Sequence, residues 1–216
     1  GLLPAPPRNI LLVRLSARGD IVFASPLVRA FRRTWPQVRL TWIAESHTKD
    51  LIQHHPELDD LIVWDRARWK RLWKERRLLT LAREAMGFVR DLRSRRFDVA
   101  IDLQGLLRSG LVTFLSGAPV RLGLGSKEGS GVLMSKVLDR NRGDLRKISS
   151  EYRYLAEELE LDLGDFRMEV PLADQDREWA AAQVSELGLE AGFMVAIPFT
   201  TRPQKHWFEE RWAQLM

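Results

Sequence analysis

The chain has 216 residues, enough for one full domain and part of another at roughly 100–200 residues per domain. Hydrophobic residues make up 45% and charged residues 29%, a mixture that buries an ordinary core and excludes a disordered chain. Cysteine is absent, which excludes disulfides and thiolate metal sites, and 34 basic against 29 acidic residues give a formal charge of +5 that favours an anionic partner.

Apolar runs of four to six residues alternate with longer amphipathic stretches, the signature of a parallel α/β sheet covered by helices. Ile10–Leu15 is the first expected strand, followed by a polar loop, Ser16–Asp20. A helix is expected over Ile21–Trp35, with Leu27, Val28 and Phe31 at helical spacing and Pro36 as its stop. Further strands are expected at Arg39–Ala44, Leu61–Trp64, Phe97–Leu103 and Val120–Leu124, and another helix from about Val132. After a helix over Glu151–Leu161 comes LDLGDFRMEVPLADQD, a polar connection that divides residues 1–165 from 166–216. The second part is expected to hold a helix, Arg177–Leu187, a strand, Phe193–Pro198, and a loop, Phe199–Trp207, before a last helix.

Three places carry candidate chemistry. Asp20 follows the first strand, where open α/β sheets place ligands; it reads either as a helix N-cap or as a general base. Residues 66–77, RARWKRLWKERR, gather seven basic residues around Trp69 and Trp73. They read as a solvated helix face, or as a polyanion site where cations hold phosphate and Trp packs on a sugar or base. In TTRPQKHW, hydroxyls and an ammonium converge before a helix, which suits a phosphate, with Trp207 as a hydrophobic staple in the plainer reading. The four histidines (His47, His54, His55 and His206) lack metal-site spacing, so no metal is expected. A GxGxxG fingerprint is missing, which argues against a nicotinamide enzyme.

Taken together, ILLVRLSARGDIVFASP, FDVAIDLQGLLRSG, the WKRxxW stretch and TTRPQKHW resemble glycosyltransferase family nine, the lipopolysaccharide heptosyltransferases, and within it the heptosyltransferase I branch. The resemblance covers nearly the whole chain. It implies a GT-B fold of two Rossmann-like domains: an acceptor-binding domain, here residues 1–165, and the beginning of a nucleotide-sugar domain in 166–216. It implies transfer of heptose from ADP-heptose, with inversion, to a Kdo-bearing inner-core acceptor on lipid A, without a cofactor, by a cytoplasmic enzyme peripheral to the inner membrane face.

By the same resemblance Asp20 matches the catalytic base, with Ser16 and Gly19 shaping its loop. Arg68, Lys70 and Arg71 match residues that grip the acidic acceptor, Gln104 belongs to the DxQG strand end with Gly105, and Lys127 falls where the family has an acceptor-binding Arg. Lys in place of Arg loses the bidentate fork. Asp102 of the DxQG motif is as well explained by structure. Thr200, Thr201 and Lys205 match residues that bind the donor diphosphate. The family continues well past residue 216, so the chain is expected to be inactive alone. Two other readings are a family-nine enzyme for another acceptor, such as heptosyltransferase II or III, and a basic, Trp-rich nucleic-acid module.

Overall fold

The computed structural model describes residues 2–3, 6–142, 144, 146–147, 149–198, 200 and 203–215. Two compact units emerge, Gly1–Leu172 and Ala173–Met216.

The first unit is built on a six-stranded parallel sheet. Its strands are β1 (Asn9–Val13), β2 (Arg39–Glu45), β3 (Asp60–Trp64), β4 (Val99–Asp102), β5 (Val120–Leu124) and β6 (Lys136–Leu138), in the order β3-β2-β1-β4-β5-β6. A parallel sheet is buried on both faces, and the period of two sorts its side chains accordingly. Ile10 and Leu12 of β1 join one core with Leu40, Trp42 and Ile101, whereas Leu11 and Val13 join a second core with Ile43 and Ala100. The first core is closed by α1 (Arg18–Ala24), α2 (Pro26–Thr34) and α6 (Ser150–Glu158), through Ile21, Leu27, Phe31 and Leu155. The second is closed by α4 (Leu78–Ser94) and α5 (Leu107–Leu115), through Leu92 and Val112. A short α3 (Arg66–Lys74) precedes α4.

Three expectations are corrected here. The single helix expected over Ile21–Trp35 is two, because Pro26 has no N–H and its ring clashes with the carbonyl four residues back. That carbonyl, on Val22, accepts instead from the Ser25 amide (3.2 Å) and from Ser25 Oγ (2.8 Å), and Pro26 becomes the first residue of α2. The first helix also begins earlier than expected, so Arg18–Asp20 form its first turn instead of belonging to the loop. The helix expected from Val132 is a 3-10 turn, Ser130–Leu133, followed by β6. Ser135 draws the chain alongside β5 by accepting from the Arg121 amide through Oγ (3.0 Å) and donating its own amide to the Arg121 carbonyl (2.7 Å).

The first unit runs on to Leu172, past the expected division at 165, because Glu169 is tied into it. Its amide donates to Ser25 Oγ (3.0 Å), its carboxylate receives Arg29 at 2.7 and 2.9 Å, and the buried His55 places Nε2 2.7 Å from Oε1.

The second unit holds α7 (Asp174–Glu186), a 3-10 turn over Pro203–Lys205, and α8 (Glu209–Leu215). Phe193–Pro198 does not form the expected strand. A strand requires a neighbour to receive its ladder, and among the described residues none runs beside it; Met194 is 99% exposed.

Candidate functional site

In a sheet of order 3-2-1-4-5-6, ligands are taken in the crevice beyond the carboxyl ends of the two central strands, where the winding direction reverses. Here those strands are β1 and β4. Beyond them lies a cleft of about 370 Å³, lined by Ser16, Ala17 and Asp20 after β1, by Gln104, Leu106 and Arg108 after β4, and by Arg14, Lys127 and Arg140. Four cations thus surround Asp20, which is the one carboxylate among the described residues lining the cleft.

Each wall has a physical cause. Asp102 is fully buried at the end of β4, and its Oδ1 accepts from the amides of Gln104 and Gly105, both at 2.9 Å, which turns the chain sharply. Burial pushes the Asp102 carboxyl above its ordinary value, against the pull of those amides and of Ser109. Gly105 takes φ +70°, and a Cβ there would sit 2.6 Å from the Leu124 carbonyl oxygen and 2.8 Å from that of Gly125. Only glycine fits that approach. The turn lets Gln104 reach across the sheet, where Oε1 accepts from the amides of Leu15 (3.1 Å) and Ser16 (3.4 Å) and so joins the two strand ends.

Asp20 lies in the first turn of α1, so it is no N-cap; its carboxylate instead reaches back to the Ala17 amide (3.3 Å). The same oxygen, Oδ2, pairs with Nη2 of the buried Arg14. Oδ1 has no hydrogen-bond partner among the described residues, and the side chain is 40% exposed. Nη1 of Arg14 donates to the Leu103 carbonyl (2.9 Å), and Arg14's other neighbours include the buried ring of Tyr152, whose hydroxyl burial pushes far above the usual range. Arg108 donates to Ser16 Oγ (2.8 Å) and faces Glu45 at 3.7 Å, and Glu45 also lies 3.8 Å from Arg66 at the start of α3. Arg140 donates to the carbonyls of Leu103, Gln104 and Leu124 at 2.9–3.2 Å and pairs with Glu151 at 2.6 Å.

The fold therefore gathers Ser16, Asp20, Gln104 and Lys127 into one cleft, adding Arg14, Arg108 and Arg140, which the sequence did not single out. Arg14 reads in the sequence as an interruption of an apolar strand, and a charge there, pointing into a core, was the available signal. Gly19 has room for a Cβ, its nearest neighbour being Phe23 at 3.9 Å. Arg68, Lys70 and Arg71 sit on α3 and are not among the cleft's lining residues. Arg68 is committed to Glu84, at 2.6–3.1 Å. Trp69 packs edge-on against Trp64 and Phe88, which docks α3 on the core, whereas Trp73 faces solvent.

In the second unit Lys205 closes the 3-10 turn before α8 and is exposed. The Thr200 carbonyl lies 2.7 Å from His206 Nε2, and Trp207 packs on Trp212 of α8 at 5.3 Å, as a staple does. Thr201 lies outside the described residues. No group of three or more His, Cys, Asp or Glu side chains able to hold a metal occurs among the described residues.

A parallel sheet of this order, with a cationic cleft at its reversal point, defines a Rossmann-like ligand-binding unit. Residues 86–216 match the model of glycosyltransferase family 9 (heptosyltransferase), and the chain belongs to that family. Lipopolysaccharide heptosyltransferase 1 of Escherichia coli O18:K1:H7 (strain RS218 / NMEC) is 24% identical over 209 residues, which cover 96% of this chain and 62% of the relative. The crystal structure of a family 9 glycosyl transferase from Veillonella parvula DSM 2008 superposes with a TM-score of 0.73 at 20% identity, over 96% of this chain and 58% of that one. E. coli heptosyltransferase WaaC with ADP-2-deoxy-2-fluoro heptose gives 0.67 at 23% identity, over 96% and 64%. The chain thus spans about three fifths of the length of the proteins it matches, and it shares the fold of these two GT-B enzymes.

Proposed function

We propose that this chain provides the acceptor site and part of the donor site for transfer of heptose from ADP-heptose to a Kdo-bearing lipopolysaccharide acceptor, at the cytoplasmic face of the inner membrane. The observation that carries this reading is Asp20 as the one carboxylate among the described residues lining a cleft with four cations, held through Oδ2 while Oδ1 has no partner among those residues. Such a cleft attracts an anionic substrate and gives it a single proton acceptor. The donor is supported by the ADP-2-deoxy-2-fluoro heptose that accompanies E. coli heptosyltransferase WaaC.

In this reading the acceptor hydroxyl attacks the anomeric carbon of the heptose while its proton passes to Asp20 Oδ1. The bond from that carbon to the diphosphate breaks with its electron pair, ADP leaves, and the configuration inverts through an oxocarbenium-like state. Arg14 keeps the carboxylate aimed, and Gln104 locks the loop that carries it. Ser16, Gly19, Lys127 and the α3 residues Arg68, Lys70 and Arg71 contact the acceptor; Thr200, Thr201 and Lys205 offset the charge that grows on the leaving diphosphate.

Calorimetric titration of the chain with deacylated Kdo-lipid A tests this. Saturable binding is expected, weakened about tenfold or more by Lys70→Ala/Arg71→Ala, since a charge-assisted hydrogen bond contributes about 1.5–3 kcal/mol. Asp20→Asn should leave that binding intact, since in this reading Oδ1 takes up the acceptor's proton only during transfer. Steeply salt-dependent affinity for arbitrary oligonucleotides, with no discrimination among sugars, would sink the proposal in favour of a nucleic-acid module.

A further inference from the structure

The chain's positive charge is not spread evenly. Residues 66–96 hold twelve Lys and Arg side chains against three acids, Glu75, Glu84 and Asp91, an excess of nine, so the rest of a chain with net charge +5 is net acidic. Each of the three acids is already answered by an arginine: Glu75 by Arg77, Glu84 by Arg68 and Asp91 by Arg95. Lys70, Arg71, Lys74 and Arg76 have no ion-pair partner among the described residues and are exposed.

This segment is the α3–α4 hairpin, and its tip is apolar. Trp73 is 66% exposed, Leu78 51% and Leu79 87%, all within seven residues. The tip is also fixed: Arg76 takes φ 56°, its amide donates to the Trp73 carbonyl (3.1 Å), and the Arg77 amide donates to Leu72 (2.9 Å). Trp69 and Leu72 anchor α3 from below, so the turn cannot fold its own apolar side chains inward. Along α4 the outward stripe continues from Leu79 through Arg83, Met86, Arg90 and Arg93 at steps of three or four, with a shallow depression around Met86, Val89 and Arg90. Fixed apolar tips ringed by unpaired cations match a water–lipid boundary: the apolar groups enter the acyl edge while the cations stay among anionic headgroups.

We infer that the α3–α4 hairpin docks the protein on an anionic lipid surface, with Trp73, Leu78 and Leu79 inserted and Lys70, Arg71, Lys74 and Arg76 on the headgroups. Nucleic acid fits the same charge less well. Single strands bind by stacking bases on aromatic rings, and here Trp69 is taken up by the core while the other exposed tip residues are leucines. No helix among the described residues is long and apolar enough to cross a membrane. The inference rests on the proposed function only in giving the membrane a purpose, since it would bring a lipid-borne acceptor to the cleft.

The test uses vesicles free of any glycolipid. The chain should sediment with phosphatidylglycerol-rich vesicles and not with phosphatidylcholine alone, and Trp73→Ser/Leu78→Ser/Leu79→Ser should lower partitioning about tenfold or more. All three side chains are exposed, so the variant should keep the parent's melting temperature. Because the chain lacks cysteine, a polarity-sensitive dye can be placed singly. At Leu79→Cys it should shift to the blue on anionic vesicles, and at Val132→Cys, exposed on the loop before β6, it should not. Parent-like partitioning by the triple variant, an unshifted Leu79→Cys dye, or displacement by oligonucleotides below the lipid concentration needed for half-binding would each overturn the inference. Deacylated acceptor binding that persists in the triple variant would leave the proposed transferase reading standing when docking fails.

Discussion

The first unit uses arginine in two opposite ways. Around the sheet, Arg14, Arg32, Arg33, Arg121 and Arg140 spend N–H groups on backbone carbonyls at strand and helix ends, and all but Arg121 also pair with carboxylates. On the α3–α4 hairpin, Lys70, Arg71, Lys74 and Arg76 meet solvent. A guanidinium that satisfies carbonyls replaces water in a place where water would loosen the frame, whereas one left in solvent is available to a partner. The same residue type therefore reports on rigidity in one region and on recognition in the other. The formal charge of the chain, taken alone, separates neither.

The frame is closed by backbone itself at the turn after β4. Gly105→Ala places a methyl 2.6 Å from the Leu124 carbonyl oxygen at a φ of +70°, and both obstacles within 2.8 Å are backbone. Neither can swing aside, so a loss of about 3 kcal/mol or more is expected, together with loss of the turn that carries Gln104 into the cleft. Chemical denaturation would show it as a lower midpoint. A midpoint within error of the parent would mean that the β4 turn is looser than these distances state, and the rigid-frame half of the comparison would fall.

A milder substitution sharpens the contrast. Arg14→Met keeps the volume of the stem but removes the bond to Leu103 and the pairing with Asp20. Because Asp20 is 40% exposed, water screens much of its loss, and about 1–3 kcal/mol is expected. Removing two charges at once from the hairpin, in Lys70→Ala/Arg71→Ala, should leave the melting temperature where it was. Equal melting shifts in the two variants would show that the division between frame and hairpin cations has no energetic meaning.

Much of this was legible in the sequence, for reasons that differ along the chain. The five long strands announced themselves because a parallel sheet buried on both faces needs unbroken apolar runs, as in ILLV and VAID. The three-residue β6 did not, since Lys136–Leu138 at a sheet edge has no room for a pattern, and the pairs Leu133/Val137 and Met134/Leu138, each four apart, imitate helical spacing. Pro26 was the overlooked signal for the break between α1 and α2. At the cleft, Asp20 was readable as a polar residue after a strand, and Gln104 only through the resemblance of its DxQG motif. Arg140 was not, because it lies sixteen residues beyond the end of β5 by chain and reaches the site only through β6. The Phe193–Pro198 run shows the converse: apolar sequence specifies a strand only where a neighbour exists to receive its hydrogen bonds.

The smallest effect concerns a clamp of the frame, where Arg29, Glu169 and His55 fasten residues 166–172 to the first unit. Burial pushes the His55 imidazole below its ordinary value of 6.5, and the attraction of Glu169 and Glu57 does not overcome it. Glu169 is also partly buried, which alone would raise its carboxyl, but the bond from Arg29 and the charges of His55 and Arg29 hold it below 4.5. Below pH 6.5 the unfolded chain binds a proton that folded His55 resists, so its contribution to stability is lost as pH falls from 6.5 toward the depressed folded value. The contribution of Glu169 is present above 4.5 and fades only as pH falls through its own lower value. Melting temperature should therefore decline modestly between neutral pH and about pH 5, and His55→Gln, which has no proton to take up there, should flatten that decline. An unchanged slope in His55→Gln would assign the decline to other groups, whereas a flattened one would mark the first unit's end as fastened by a neutral imidazole.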